Sequence, residues 1–204
     1  RGTIIEVGPQ GNEFMLRHKT LAEYILDNCV GVEMLKSVYI NVLSVLAPEL
    51  LHRSRGVNRK FSLYSRIINH EKIYKRFRKD IECARAIYES VASFFRGDYQ
   101  FWLQYGALES EGAGGNFELA ENYLQQALSL SPNNLMVLNA LCNLYYKIAE
   151  SEKNPQEAIE YRAEANKVMV DLIKEAGAVN SYVYNIYCIG NYHYVKRWVG
   201  NRDE

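Results

Sequence analysis

The sequence predicts an all-helical protein, a superhelix of packed helical hairpins preceded by a short β-hairpin. The 204 residues are 48% hydrophobic, which is enough apolar surface for a core. From about Ser62 onward the apolar residues recur with a helical period. Segments rich in Gly, Pro, Asn and Ser interrupt this pattern at the intervals expected of helical hairpins. They lie at Gly97–Asp98, Glu111–Asn116, Ser131–Asn134, Ser151–Pro155 and Gly177–Asn180.

The first 28 residues predict a β-hairpin followed by a helix. Residues 3–7 and 13–16 alternate as strands do, and Gly8–Asn12 between them carries the residues of a tight turn. Residues 19–28 then change to a helical period. A hairpin and one helix cannot bury a core of their own, so we expect residues 1–28 to be the end of a larger domain.

The middle of the chain, residues 29–79, predicts linker helices with a strongly basic segment. Residues 33–47 predict a buried helix that ends before Pro48, and residues 52–60 predict a loop. Between residues 52 and 79 there are ten Lys and Arg and one acidic residue, Glu71. Residues 80–204, the predicted repeat region, hold ten basic and seventeen acidic residues. Such asymmetry indicates either a nucleic-acid footprint or two segments that face each other.

Several classes of function are disfavoured by what the sequence lacks. The chain starts at Arg1 with no secretory leader and no apolar run long enough to span a bilayer, so we expect a cytoplasmic fragment without a membrane partner. Its four cysteines are far apart and form no CxxC pair, which predicts buried free thiols and no metal site or disulfide. Walker A, HExxH, GxSxG and EF-hand motifs are absent. We therefore predict no catalytic residue and no enzymatic activity in this chain.

One group of glutamates flanks a glycine-rich segment and has two interpretations. Glu109, Glu111, Glu118 and Glu121 could form a carboxylate site, but on neighbouring helices they more often form a solvated face. Residues 112–115 precede no Lys-Ser/Thr pair that could hold a phosphate. We predict a solvated face and a flexible connector.

Two consecutive helices carry small residues at regular spacings. Trp102-x2-Tyr105-Gly106 opens the first, and Ala120-x3-Leu124-x2-Ala127-x4-Pro132 follows in the second. Small residues let antiparallel helices approach closely while the large ones fill the space around them. These motifs resemble the tetratricopeptide pattern of W-x2-L-G followed by A-x3-F-x2-A-x4-P. The resemblance implies a superhelix of helix pairs with a 34-residue period.

Other segments of residues 80–198 resemble the same pattern, with departures. Leu138-x2-Leu141-Cys142-x2-Tyr145 and Ile186-x2-Ile189-Gly190 are similar to further first helices, and Ala84-x3-Tyr88 to an earlier second helix. Glu109 replaces an expected aromatic residue, the loop before Ala120 is two residues longer than usual, and residues 151–176 show no clean second-helix register. A plain array of helical hairpins is the alternative interpretation.

A second resemblance lies near the N-terminus. Phe14-Met15-Leu16-Arg17-His18-Lys19-Thr20-Leu21-Ala22-Glu23-Tyr24-Ile25 resembles the end of the winged-helix domain of STAND-type NTPases. The resemblance implies that His18, helped by Arg17, contacts the phosphates of a bound nucleotide in the parent protein. ATP and Mg would then belong to that parent, and no cofactor to this chain. A surface histidine beside a hairpin is the other interpretation of His18.

The tetratricopeptide resemblance implies a concave groove lined by first helices, rich in amide and tyrosine side chains that suit protein recognition. Any one of these tyrosines could instead be a packing residue. The groove residues implied are Gln100, Leu103, Ala107, Met136, Asn139, Asn143, Tyr146, Lys147, Tyr184, Tyr187, Asn191 and Tyr194.

Three functions follow as expectations. The first is the sensor region of a STAND-like antiviral NTPase that binds a protein target, such as a phage protein, and controls oligomerisation of the parent enzyme. The second is a general tetratricopeptide adaptor between proteins. The third, and least favoured, is nucleic-acid binding through the cations of residues 53–79 and the interleaved aromatics Phe61, Tyr64, Tyr74 and Phe77.

Overall fold

The computed structural model describes residues 5–7, 14–16, 29–51, 64–176, 191–192 and 196. The chain forms two compact units, Arg1–Arg55 and Gly56–Glu204. The described part is helical apart from one pair of short strands. None of the described helices is long and apolar enough to cross a membrane.

The first unit contains the strand pair and one long helix. Strand β1 (Ile5–Val7) pairs antiparallel with β2 (Phe14–Leu16), with Ile5 opposite Leu16. Both strands lie in the segments from which a hairpin was predicted. The turn between them and the predicted helix at residues 19–28 lie outside the described residues.

Helix α1 (Val32–Leu51) buries Leu35, Leu43 and Leu46. The prediction that this helix ends before Pro48 was wrong, because it continues to Leu51. A proline disfavours helical geometry at the preceding residue without forbidding it. Proline lacks a backbone N–H, so a helix that continues through it loses one hydrogen bond.

The described part of the second unit is a stack of three helical hairpins, preceded by a short helical segment at residues 64–67. In each hairpin the two helices pack against each other, and the second helices of the first two hairpins also contact the first helix of the next. The first helices pack side by side, α2 on α4 and α4 on α6. The hairpins are α2 (His70–Arg76) with α3 (Ile81–Val91), α4 (Tyr99–Glu111) with α5 (Phe117–Leu130), and α6 (Leu135–Ser151) with α7 (Pro155–Ala176).

Asparagine and aspartate side chains start all six of these helices. Each accepts hydrogen bonds from backbone N–H groups of the first turn, which have no partner within the helix. The breaks before α4, α5, α6 and α7 occur where the sequence predicts them. Two further breaks, at residues 68–69 and 77–80, were not predicted, although the capping residue that ends each break was visible in the sequence. The caps are Asn69, Asp80, Asp98, Asn116, Asn134 and Asn154.

A repeated small-residue spacing brings the second helices close to their partners. Ala120 and Ala127 of α5 are fully buried, seven residues apart. Ala158 and Ala165 of α7 have the same spacing and are also fully buried. The prediction that residues 151–176 lack a second-helix register was therefore wrong. The register was hidden because Arg162 occupies the large-residue position between the two alanines.

Cys142 of α6 is fully buried where the small-residue pattern places it. Its Sγ lies 3.5 Å from the carbonyl oxygen of Ala165. Burial raises the pKa of the Cys142 thiol to about 12. Because the thiolate is the reactive form, the buried thiol is expected to be inert at neutral pH.

We therefore expect iodoacetamide at pH 8 to modify the exposed Cys29 and to leave Cys142 unmodified in the folded chain. Peptide mass mapping after a timed reaction measures both sites in one sample. The same reaction in urea is the control, since unfolding should make Cys142 as reactive as Cys29. Equal alkylation of both cysteines in the folded chain would contradict the packing of α6 on α7.

Candidate protein-binding face

Polar contacts join the three first helices, and the residues just before α2, to one another. Gln100 Nε2 donates to Ser65 Oγ over 3.0 Å, and the backbone N–H of His70 donates to Gln104 Oε1, also over 3.0 Å. On the other side of α4, Lys147 Nζ of α6 donates to the carbonyl oxygen of Ser110 over 3.1 Å. These contacts fix the first helices relative to one another.

Helix α6 presents four of the predicted groove residues along one face. Met136, Asn139, Asn143 and Lys147 are spaced three or four residues apart, which places them on one side of a helix. Met136 is 56% exposed, whereas Asn143 and Lys147 are half-buried. Asn139 Oδ1 is buried and has no hydrogen-bond partner among the described residues. Tyr146 is mostly buried and donates its hydroxyl to Asn166 Oδ1 over 2.8 Å, which makes it a packing residue.

Helix α4 offers less accessible surface than the groove prediction implies. Gln100 is half-buried, and its Oε1 has no hydrogen-bond partner among the described residues. Leu103 and Ala107 are buried between the helices. The part of α4 that a partner could reach is therefore mainly its polar edge.

The remaining predicted residues lie near or beyond the limits of what the structure describes. Asn191 is half-buried and accepts a hydrogen bond from Arg162 of α7. Tyr184, Tyr187 and Tyr194 lie outside the described residues, as do Arg17 and His18.

A histidine and a glutamate form a hydrogen bond between α2 and α4, which becomes an ion pair when His70 is protonated. His70 Nε2 lies 3.0 Å from Glu111 Oε2. Burial disfavours the charged imidazolium, but hydrogen bonds with Glu111 and Gln104 outweigh burial and raise the pKa of His70. The hydrogen bond from His70 lowers the pKa of Glu111, and nearby Lys147 lowers it further. The three charged groups come from three consecutive first helices.

Glu109 is a buried structural residue that sequence reasoning placed on a solvated face. Its side chain is 0% exposed, and its two oxygens accept from Arg85 Nε and a terminal nitrogen, each over 2.8 Å. The Asn116 backbone N–H also donates to it, over 3.0 Å. The hydrogen bonds with Glu109 raise the pKa of Arg85. At position 109, where the tetratricopeptide resemblance implied an aromatic residue, the chain has a glutamate whose ion pair with Arg85 joins α3 to α4.

The loop after Glu109 is also fixed, contrary to the prediction of a flexible connector. Ala113 N–H donates to the Tyr74 hydroxyl over 3.0 Å, and Gly115 N–H donates to the Gly112 carbonyl over 2.9 Å. A Cβ at Gly115 would lie 2.1 Å from the Glu109 carbonyl oxygen, so only glycine allows this approach.

Two of the aromatic residues of the basic segment, Tyr64 and Phe77, are used in packing. Tyr64 is buried, stacks on Phe95 and donates its hydroxyl to Asp98. Phe77 is also buried. Neither ring can stack on a nucleic-acid base, which weakens the prediction of a nucleic-acid interface. Phe61 lies outside the described residues.

The exposed and half-buried side chains of α6 are amides and a methionine, which are types that suit contact with a polypeptide. Amide side chains can both donate to and accept from a peptide backbone, and an exposed methionine adapts to varied apolar side chains. No protein-family model matches the chain, and no curated protein or solved structure shows significant similarity to it.

Proposed function

We propose that the hairpin stack is a protein-recognition region that binds a segment of a partner protein across the first helices α4 and α6. The observation that carries this proposal is the face of α6, where exposed Met136 stands beside the amides of Asn139 and Asn143. The side-by-side packing of α2, α4 and α6 supports it, because such packing extends the face over several helices.

We further propose that the stack is tetratricopeptide-like. The sequence separation between residues that contact each other in or just before α2 and α4 supports this. Tyr64 contacts Asp98 and His70 contacts Gln104, and each pair is 34 residues apart, which equals the period of that family. The equal spacing of buried alanines in α5 and α7 supports the same repeat.

The biological role that we propose is that of a sensor in a STAND-like antiviral NTPase of the bacterial cytoplasm. The support is the resemblance of residues 14–25, of which the structure describes Phe14–Leu16 in strand β2. In this proposal the parent supplies the ATP and Mg site, and binding of a phage protein by the hairpin stack controls its oligomerisation. The chain itself has no P-loop motif, and in this proposal its role is recognition alone.

Capture of partners from bacterial lysates tests both parts of the proposal. The bait is the full chain, applied to lysates of phage-infected and uninfected cells. The groove variant is Met136→Ala with Asn143→Ala, both on first helix α6. The matched control is Leu130→Ala with Asn122→Ala, which removes one apolar and one amide side chain from the exposed part of second helix α5. All three proteins must show the same helical circular dichroism.

We expect a phage protein to bind the unmutated chain and the α5 variant, and to bind the α6 variant at least about tenfold more weakly, as truncation of central contact residues does. A host protein captured equally from both lysates through α6 would favour a general adaptor over a sensor. Binding that survives in the α6 variant and fails in the α5 variant would contradict the recognition face itself.

A further inference from the structure

A small pocket between α2 and α4 brings together one histidine and two glutamates. His70, Glu71 and Glu111 line this pocket of about 90 Å³. The sequence predicts no metal site, because it contains no cysteine or histidine pairs at ligand spacing. His70 and Glu111 are 41 residues apart and meet only because α2 packs on α4.

The three side chains are close enough to bind one ion together. His70 Nε2 lies 3.0 Å from Glu111 Oε2, and one ligand atom from each of the three residues lies within 4.8 Å of the others. Zinc bonds of about 2.0–2.2 Å place tetrahedral ligand atoms about 3.3–3.6 Å apart. Small rotations of the two glutamates would therefore complete the geometry.

Gln104 fixes the ring nitrogen that is available to a metal. Its Oε1 lies 3.0 Å from both the backbone nitrogen and the Nδ1 of His70. A backbone N–H only donates, so the atom that faces it must be the amide oxygen, and the neutral ring must then carry its proton on Nδ1. Without metal, Nε2 faces Glu111 Oε2 and donates to it when His70 is protonated. A bound metal would replace that proton and take the Nε2 lone pair. A histidine ligand held through its other nitrogen is the usual arrangement in metal sites.

The ligand types determine the class of ion. An imidazole with two carboxylates suits zinc, whereas Mg²⁺ and Ca²⁺ prefer oxygen ligands alone. Lys75 Nζ lies 3.6 Å from Glu71 Oε2 on an exposed part of the helix, and an ion would displace this weak contact. Leu108 supplies an apolar wall to the pocket.

We propose that His70, Glu71 and Glu111 form a zinc-binding site that joins the first two hairpins, with a fourth position for water. This site is independent of the protein-recognition function. Because the ligands come from α2 and α4, zinc should hold these helices together and stabilise the folded chain.

The test is isothermal titration of the metal-free full chain with ZnCl₂ in a non-chelating buffer, with thermal unfolding recorded with and without zinc. We expect His70→Gln and Glu71→Gln each to weaken zinc binding at least about tenfold and to remove the thermal shift. Gln104→Leu leaves all three ligands in place and should weaken binding by about 10- to 100-fold. Glu118→Gln, an exposed carboxylate on α5, is the matched control and should bind as the unmutated chain does.

Absence of zinc binding by the unmutated chain would overturn the site. Equal binding by the unmutated chain, His70→Gln and Glu71→Gln would also overturn it and would mean an adventitious ion only. If His70→Gln fails to fold, Glu71→Gln decides alone, because Glu71 is exposed and its loss cannot disturb the core. Unchanged affinity in folded Glu71→Gln would refute the three-ligand site.

Discussion

Replacing Arg85 with methionine should destabilise the second unit by about 3–5 kcal/mol, because it leaves the buried carboxylate of Glu109 without its cation. The remaining donor to that carboxylate is the Asn116 backbone N–H. Urea unfolding followed by circular dichroism measures the loss. Glu82→Gln is the control, since Glu82 is the exposed partner of Arg85 and should contribute less than about 1 kcal/mol.

A second substitution should reverse a large part of this loss. In the next hairpin Tyr145 stands where Glu109 would stand in the first-helix pattern, and it is mostly buried. We therefore expect Glu109→Phe in the Arg85→Met background to recover about 2 kcal/mol or more, because a buried ion pair can be replaced by apolar side chains. A double variant less stable than Arg85→Met would show that the ion pair does not occupy an aromatic position.

Leu124→Ala should cost about 2–5 kcal/mol, the range for emptying a well-packed core site. Leu124 is fully buried between α4 and α5. A Cβ added at Gly106 of α4 would lie 2.7 Å from its Cγ, so the two residues share one space. Urea unfolding again measures the free energy.

Because Gly106 and Leu124 share this space, the effect of Gly106→Ala on the free energy of unfolding should change sign when Leu124 is replaced by alanine. Alone it should destabilise by about 1–3 kcal/mol, because overpacking outweighs the better helix propensity of alanine. In Leu124→Ala it should stabilise, by about 1 kcal/mol, because the new methyl group enters the cavity. Destabilisation in both backgrounds would mean that α4 and α5 do not pack through Gly106.

The helical architecture could be predicted from the sequence wherever local signals decide it. Small residues such as Gly106 and Ala120, and loop breaks such as Ser131–Asn134, indicated the α4–α5 hairpin and the start of α6 correctly. The predictions fail where the sequence has an unexpected polar residue whose partner lies far away along the chain. Glu109 was predicted to be solvated because its partner, Arg85, lies 24 residues earlier and comes next to it only in the folded chain. Arg162 likewise hides the register of α7.

The sequence could predict which residues form the candidate face, but it could not predict how exposed they are. The helical period places Met136, Asn139 and Asn143 on one side of α6. The helical period does not predict that Leu103 and Tyr146 are buried, because their burial depends on how closely the neighbouring helices pack. No pattern in the sequence predicts the contact between His70 and Glu111, because that contact depends on the packing of α2 on α4.

The most direct test of protein recognition through the first helices is hydroxyl-radical footprinting of the chain with and without its captured partner. Met136 on first helix α6 and Leu130 on second helix α5 are both exposed apolar side chains and report on the two faces. We predict that the partner protects Met136 from oxidation and leaves Leu130 unchanged. Protection of Leu130 with no change at Met136 would contradict the account.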